Sequence, residues 1–303
     1  MSDYYLSQYP EGSLVQSLRK RGWNEEVIRV LPLPKRSDWL QVFWKGAFDP
    51  QFWAGQAPPI RPAFAWYLQR IANTIQEMRN SESESGSESI STTSPKIILI
   101  GHSAGGWLAR AALGYLSQSN GKEEASPAIP LECILGLVTL GAPHLPPPPQ
   151  IMDMTRGALR ITNEQFPGAY YQSSTNEPDS LFYLTVMGDA VRGVQQVRKS
   201  PWEPTVVSGF AYNSYEAVCG QGDVTGDGVV PLESGHLDQA KQLTLPGIFH
   251  SINRPDQWYG SDNVIDSWHD VMLELVGQQL EQEGSNKKQP WNFDFWNLPI
   301  KIR

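Results

Sequence analysis

An almost wholly apolar run, Lys96-Ile97-Ile98-Leu99-Ile100, ends directly in Gly101-His102-Ser103-Ala104-Gly105-Gly106. A helical pattern carrying Trp107, Leu108, Ala111, Ala112 and Tyr115 follows without a linker. Few folds accept this junction. The run is continuous rather than alternating, which suits a parallel strand buried on both faces. Taken alone, G-x-S-x-G is a weak signal. Between a strand and a helix, small residues two before and two after the serine permit a tight elbow that lifts the hydroxyl out of the sheet. The helix N-terminus then points N–H groups toward any developing oxyanion.

The same strand–helix alternation runs through the chain. Val27–Pro32, Ile134–Leu140 and Leu181–Val186 read as strands, with Gln242–Pro246 a weaker one; Ser13–Arg21, Ala63–Arg79, Gly105–Leu116 and Val264–Glu281 read as amphipathic helices. The expected fold is α/β, a doubly wound, mostly parallel sheet flanked by helices, with its ligand site at the carboxyl ends of the strands. Residues 1–303 read as one domain with insertions. Segment 81–94 is low-complexity and reads as a surface loop, 145–180 as a cap or lid opened by four consecutive prolines, 189–222 as an irregular insertion, and 282–303 as a C-terminal tail.

Composition narrows the partners. A hydrophobic share of 40% rules out disorder of the whole chain, and 24 Lys plus Arg against 32 Asp plus Glu leave no basic footprint for nucleic acid. The two cysteines, Cys133 and Cys219, make no disulfide framework and no metal-ligand spacing. The start of the sequence shows no secretory signal, and the apolar stretch 133–142 is too short to span a membrane. A cytoplasmic protein is the expectation, or a plastid one if further residues precede Met1. The 11 tryptophans read mainly as packing that pins long loops to the body.

A serine hydroxyl needs a histidine to take its proton and a carboxylate to hold that imidazole. His102 sits within the elbow, so its ring is directed away from the hydroxyl; His236 and His269 lie on helical stretches and read as surface residues. His250 follows the last strand, where the chain order Ser…Asp…His places a base. The acid candidates are Asp189, after the strand Leu181–Val186, and Asp223 or Asp227 in the stretch 220–231. That stretch imitates the opening of a calcium loop, but Pro231 and Ser234 stand where ligands would be required, so no metal is expected.

The chain resembles the α/β-hydrolase superfamily, in particular its lipase- and esterase-like members. It is similar to plant and cyanobacterial α/β-hydrolases and more distantly to lipases and GPI inositol-deacylases. The resemblance spans roughly residues 12–280 and rests on Ile98–Gly106, Leu140-Gly-Ala-Pro-His144, Gly226-Asp-Gly-Val-Val-Pro231 and Gly247-Ile-Phe-His-Ser251. It implies a carboxylic ester, small or lipid-like, cleaved without a cofactor through an acyl-enzyme on Ser103, with His250 as base and Asp227 as acid. Asp189 is the alternative acid, and His102 and His144 are candidates to line the substrate. Ala104 N–H supplies one oxyanion donor. The second normally comes from a loop after an earlier strand, and this chain reads as lacking the first strands. That donor then lies upstream, or within Tyr4–Ser7, or is missing. Two other readings share the fold: a catalytically silent binding protein, and an acyltransferase or thioesterase using the same three residues.

Overall fold

The computed structural model describes residues 12–31, 36–83, 96–117, 128–172, 180–197, 200, 205–251, 253–287 and 300–302. The first helix, α1 (Leu14–Lys20), starts at Ser13, whose hydroxyl accepts the Gln16 N–H at 3.1 Å. Such a cap satisfies one of the donors a helix start leaves open. α2 (Arg36–Gly46), the short α3 (Pro50–Trp53) and the long α4 (Pro62–Ser83) follow. Asp49 caps α3 and holds Arg61 at 2.8 Å.

The alternating region runs β1 (Lys96–His102), α5 (Ala104–Ser117), β2 (Ile134–Leu140), α6 (Ala158–Gln165) and β3 (Phe182–Gly188). After it come β4 (Val191–Arg192), α7 (Val207–Cys219), β5 (Thr225–Gly226), β6 (Lys241–Leu245), α8 (Asp266–Lys287) and β7 (Ile300–Ile302). The main sheet has the order β6-β3-β2-β1-β7, and each neighbouring pair is parallel. β4 and β5 form a separate antiparallel pair. Every residue of β2 and of β3 is buried, the expected state of inner parallel strands.

Helices cover both faces. Ile97, Leu99 and Leu137 pack under α4 and α5, while Ile98, Leu135 and Val138 pack under α1 and α8. The alternation along β1 and β2 divides one apolar run between two cores. Gly106 lets α5 sit close on β2 and the turn after it, because a Cβ there would stand 3.1 Å from the Thr139 Cβ and 2.4 Å from the Ala142 Cβ.

Several local expectations change. The strand expected at Val27–Pro32 is not found over its described residues: Glu25–Val27 is a 3-10 turn and Ile28–Leu31 joins no sheet, while β7 pairs with β1 over Lys96–Ile98. Among its described residues, segment 189–222 is not irregular throughout, since it holds β4 and the whole of the amphipathic α7. Within 145–180, α6 buries Ala158, Leu159 and Thr162, and Arg110 of α5 donates to Asn163 Oδ1 at 2.9 Å and to the Phe166 carbonyl at 2.6 Å. Residues 81–83 belong to α4 and 282–287 to α8; the rest of the low-complexity segment lies outside the described residues.

Candidate active site

Ser103 occupies the single residue between β1 and α5, with φ at +54°. A non-glycine residue in this left-handed region is strained by on the order of 1–3 kcal/mol and persists where its surroundings enforce it. Here the Ser103 N–H donates to the Leu140 carbonyl and the Ser103 carbonyl accepts the Gly106 N–H, each at 3.0 Å. The elbow is pinned on both sides and sets Ser103 at the carboxyl end of β1. Ala104 opens α5, so its N–H is one of those that helix geometry leaves without an intrahelical acceptor.

Two loops meet that hydroxyl. β5 delivers Asp227, and the turn after it folds back so that Asp227 Oδ1 accepts the Val229 N–H at 3.0 Å and the Val230 N–H at 2.8 Å. Tyr215 of α7 fixes the same turn: its hydroxyl accepts the Gly228 N–H at 2.8 Å and donates to the Val191 carbonyl at 2.9 Å. The segment after β6 delivers His250, whose N–H donates to the Asp227 carbonyl at 2.9 Å. His250 Nδ1 lies 2.7 Å from Asp227 Oδ2, and His250 Nε2 lies 2.9 Å from Ser103 Oγ. Ser103, His250 and Asp227 thus form a hydrogen-bonded series from three separate segments.

The protons in this series follow from the acid. Burial opposes the Asp227 charge, but the facing His250 and the two backbone N–H groups hold its carboxyl below the ordinary carboxylate range. An ionised carboxylate only accepts. His250 therefore donates from Nδ1, and its Nε2 lone pair accepts the Ser103 hydroxyl. A hydroxyl placed this way can attack an electrophilic carbonyl as the imidazole takes its proton.

Tyr259 was invisible to sequence reasoning. Its hydroxyl donates to Asp227 Oδ2 at 2.8 Å and accepts the Gly188 N–H at 2.9 Å. Burial first, and the Asp227 charge second, push this phenol well above its usual range, so it keeps its proton. Gly141, with φ at +56°, leaves room for the arrangement: a Cβ there would stand 2.6 Å from Asp227 Oδ2. A tyrosine 32 residues beyond the acid carries no local motif that could have found it.

The other sequence candidates fall elsewhere. Asp189 accepts the Gly247 N–H at 2.7 Å and shapes the turn before His250 without a bond to that ring. His144 is fully buried, 3.0 Å from Thr139 Oγ1, and burial and the Arg110 charge push it well below the usual histidine range. It is therefore packed in the interior rather than lining a cleft. His102 borders an apolar cavity of about 150 Å³, walled also by Leu14, Ile28, Tyr67 and Gly105. His269 is buried, not on the surface, and accepts the Trp23 indole N–H at 2.8 Å. His236 follows a 3-10 turn rather than lying in a helix, 2.9 Å from Thr185 Oγ1. Tyr4–Ser7, named for the second oxyanion donor, lie outside the described residues.

Asp266, His269 and Asp270 bring ligand-type atoms within 4.8 Å of one another. Arg21 is forked onto Asp266, with its second contact at 2.7 Å, and holds Asp262 as well, so this group ties α1 to α8.

Residues 63–209 match the family model described as PGAP1-like alpha/beta domain. The match contains the elbow and Ser103, while Asp227 and His250 lie beyond it. No curated protein and no solved structure matches the chain. Among the described residues no helix is long and apolar enough to cross a membrane.

Proposed function

We propose, for a chain that belongs to the α/β-hydrolase superfamily, a lipase- or esterase-like serine hydrolase that cleaves a carboxylic ester, small or lipid-like. Ser103 is the nucleophile, His250 the general base and Asp227 the residue that orients it. The observation that carries this reading is the continuous series Ser103 Oγ–His250 Nε2 at 2.9 Å and His250 Nδ1–Asp227 Oδ2 at 2.7 Å.

In the reaction Ser103 Oγ bonds to the ester carbonyl carbon as its proton passes to His250 Nε2. The carbonyl oxygen becomes an oxyanion facing the Ala104 N–H. Collapse breaks the bond to the alkoxy oxygen, which leaves with the proton from His250. Water then loses a proton to His250 and attacks the acyl-enzyme, and Ser103 recovers its hydroxyl as the acid departs. Asp227 remains ionised throughout and compensates the imidazolium formed in each half-reaction.

The test is labelling of the purified chain by a fluorophosphonate, beside Ser103→Ala and His250→Ala. Strong labelling of the parent chain, abolished in both variants, is expected. A folded parent chain that does not label, and does not turn over simple esters, overturns the reading in favour of a silent binding protein.

A further inference from the structure

The elbow carries a second imidazole. His102 Nε2 lies 2.9 Å from the backbone carbonyl oxygen of His250. A carbonyl only accepts, so Nε2 carries the ring proton and donates. The His102 ring lies against the His250 ring, with centroids 4.7 Å apart and planes tilted by 40°. Trp258 and Tyr259 enclose it edge-on and obliquely, at 5.9 and 6.0 Å.

We propose that His102 is a positioning residue: it clamps the His250 carbonyl to the elbow and so fixes Nε2 of the base over Ser103 Oγ. This rests on the serine hydrolase reading above. The direct link between nucleophile and base is the single bond Ser103 Oγ–His250 Nε2, and that bond is lost once Ser103 is acylated. At that stage the His102 bond still ties His250 to β1 while the base activates water. Asp227 orients the imidazole from the far side but has no bond to the elbow among the contacts described. The ring beside His102 must also gain and lose a positive charge. Burial, with the neighbouring His250, pushes His102 down to about 3, so the clamp adds no opposing charge.

The role predicts which half-reaction suffers. His102→Met keeps length and bulk without the donor, whereas His102→Gln places an amide N–H near the Nε2 position. With p-nitrophenyl acetate followed by stopped flow, His102→Met should keep an acylation burst and slow the steady state by about tenfold or more. kcat should fall more than kcat/KM. His102→Gln should recover kcat to within about threefold of the parent chain, since its donor replaces the lost one. A substrate-lining role would instead raise KM and spare kcat, and that result overturns the clamp. So does a His102→Met enzyme with unchanged kcat, or a His102→Gln enzyme no better than it.

If His102→Met does not fold, long-range proton–nitrogen NMR of the parent chain decides. His102 is expected in the Nε2–H form between about pH 5 and 9, and an Nδ1–H form overturns the proposal. The NMR result is independent of turnover, so an inactive parent chain would sink the hydrolase reading while the tautomer still judges the clamp.

Discussion

Asp227 and His250 are joined twice: side chain to side chain at 2.7 Å, and through the backbone, where the His250 N–H donates to the Asp227 carbonyl at 2.9 Å. The second bond makes the spacing of acid and base independent of side-chain rotamers. Replacement of Asp227 by Asn keeps size and most of the loop but puts an amide where the ring needs an acceptor. On the serine hydrolase reading, and by analogy with Ser-His-Asp hydrolases, kcat should fall by roughly a thousandfold or more while the circular dichroism spectrum is retained. Activity within a few-fold of the parent chain would remove Asp227 from the mechanism.

Tyr259→Phe takes one donor from Asp227 and leaves the Gly188 N–H without its acceptor in the interior. Stability should drop by about 1–3 kcal/mol, read as a lower urea midpoint at unchanged slope. Parent-like stability would mean that the phenol bonds contribute nothing net.

At Ser103 the left-handed backbone gives two substitutions of the proposed nucleophile different consequences for stability. Ordinarily Ala→Gly costs about 0.5–1 kcal/mol. With φ at +54° that order should reverse, so that Ser103→Gly melts at a higher temperature than Ser103→Ala. The opposite order would show that the elbow stores no strain.

Acid should weaken the fold through its buried histidines. His102 and His144 are pushed down by burial, to about 3 in the first case, whereas an unfolded histidine titrates near 6.5. Below about pH 6.5 the unfolded chain takes up protons that the folded chain refuses, so stability declines as pH falls. It should be flat from about pH 7 to 8 and fall by roughly 2 kcal/mol or more by pH 5. His144→Gln should flatten the slope in urea titrations; a parent chain with the same stability at both ends of the range would contradict this.

The parts legible in the sequence are those decided within one short segment. The elbow is local: an apolar strand, small residues around a serine, and a helix start. The inner strands are local too, because burial on both faces writes itself as an unbroken apolar run. Val27–Leu31 carries most of that signature, broken only by Arg29, and still forms no strand, since sheet membership depends on what lies beside it and β1 is paired with β7. α7 was missed because its polar and apolar residues follow Gly- and Pro-rich sequence that reads as loop. The bond from Tyr259 to Asp227 and that from His102 to His250 join residues distant in the chain. Neither leaves a periodicity or a spacing to read.

The doubled link between Asp227 and His250 has a practical corollary. It does not involve Ser103, so a chain with alanine at position 103 keeps its imidazole and carboxylate set while having nothing to acylate. On the serine hydrolase reading such a chain is a bait: incubated with a lipid extract and washed, it should retain intact an ester that the parent chain would cleave, and mass spectrometry of the eluate is the measurement that identifies it.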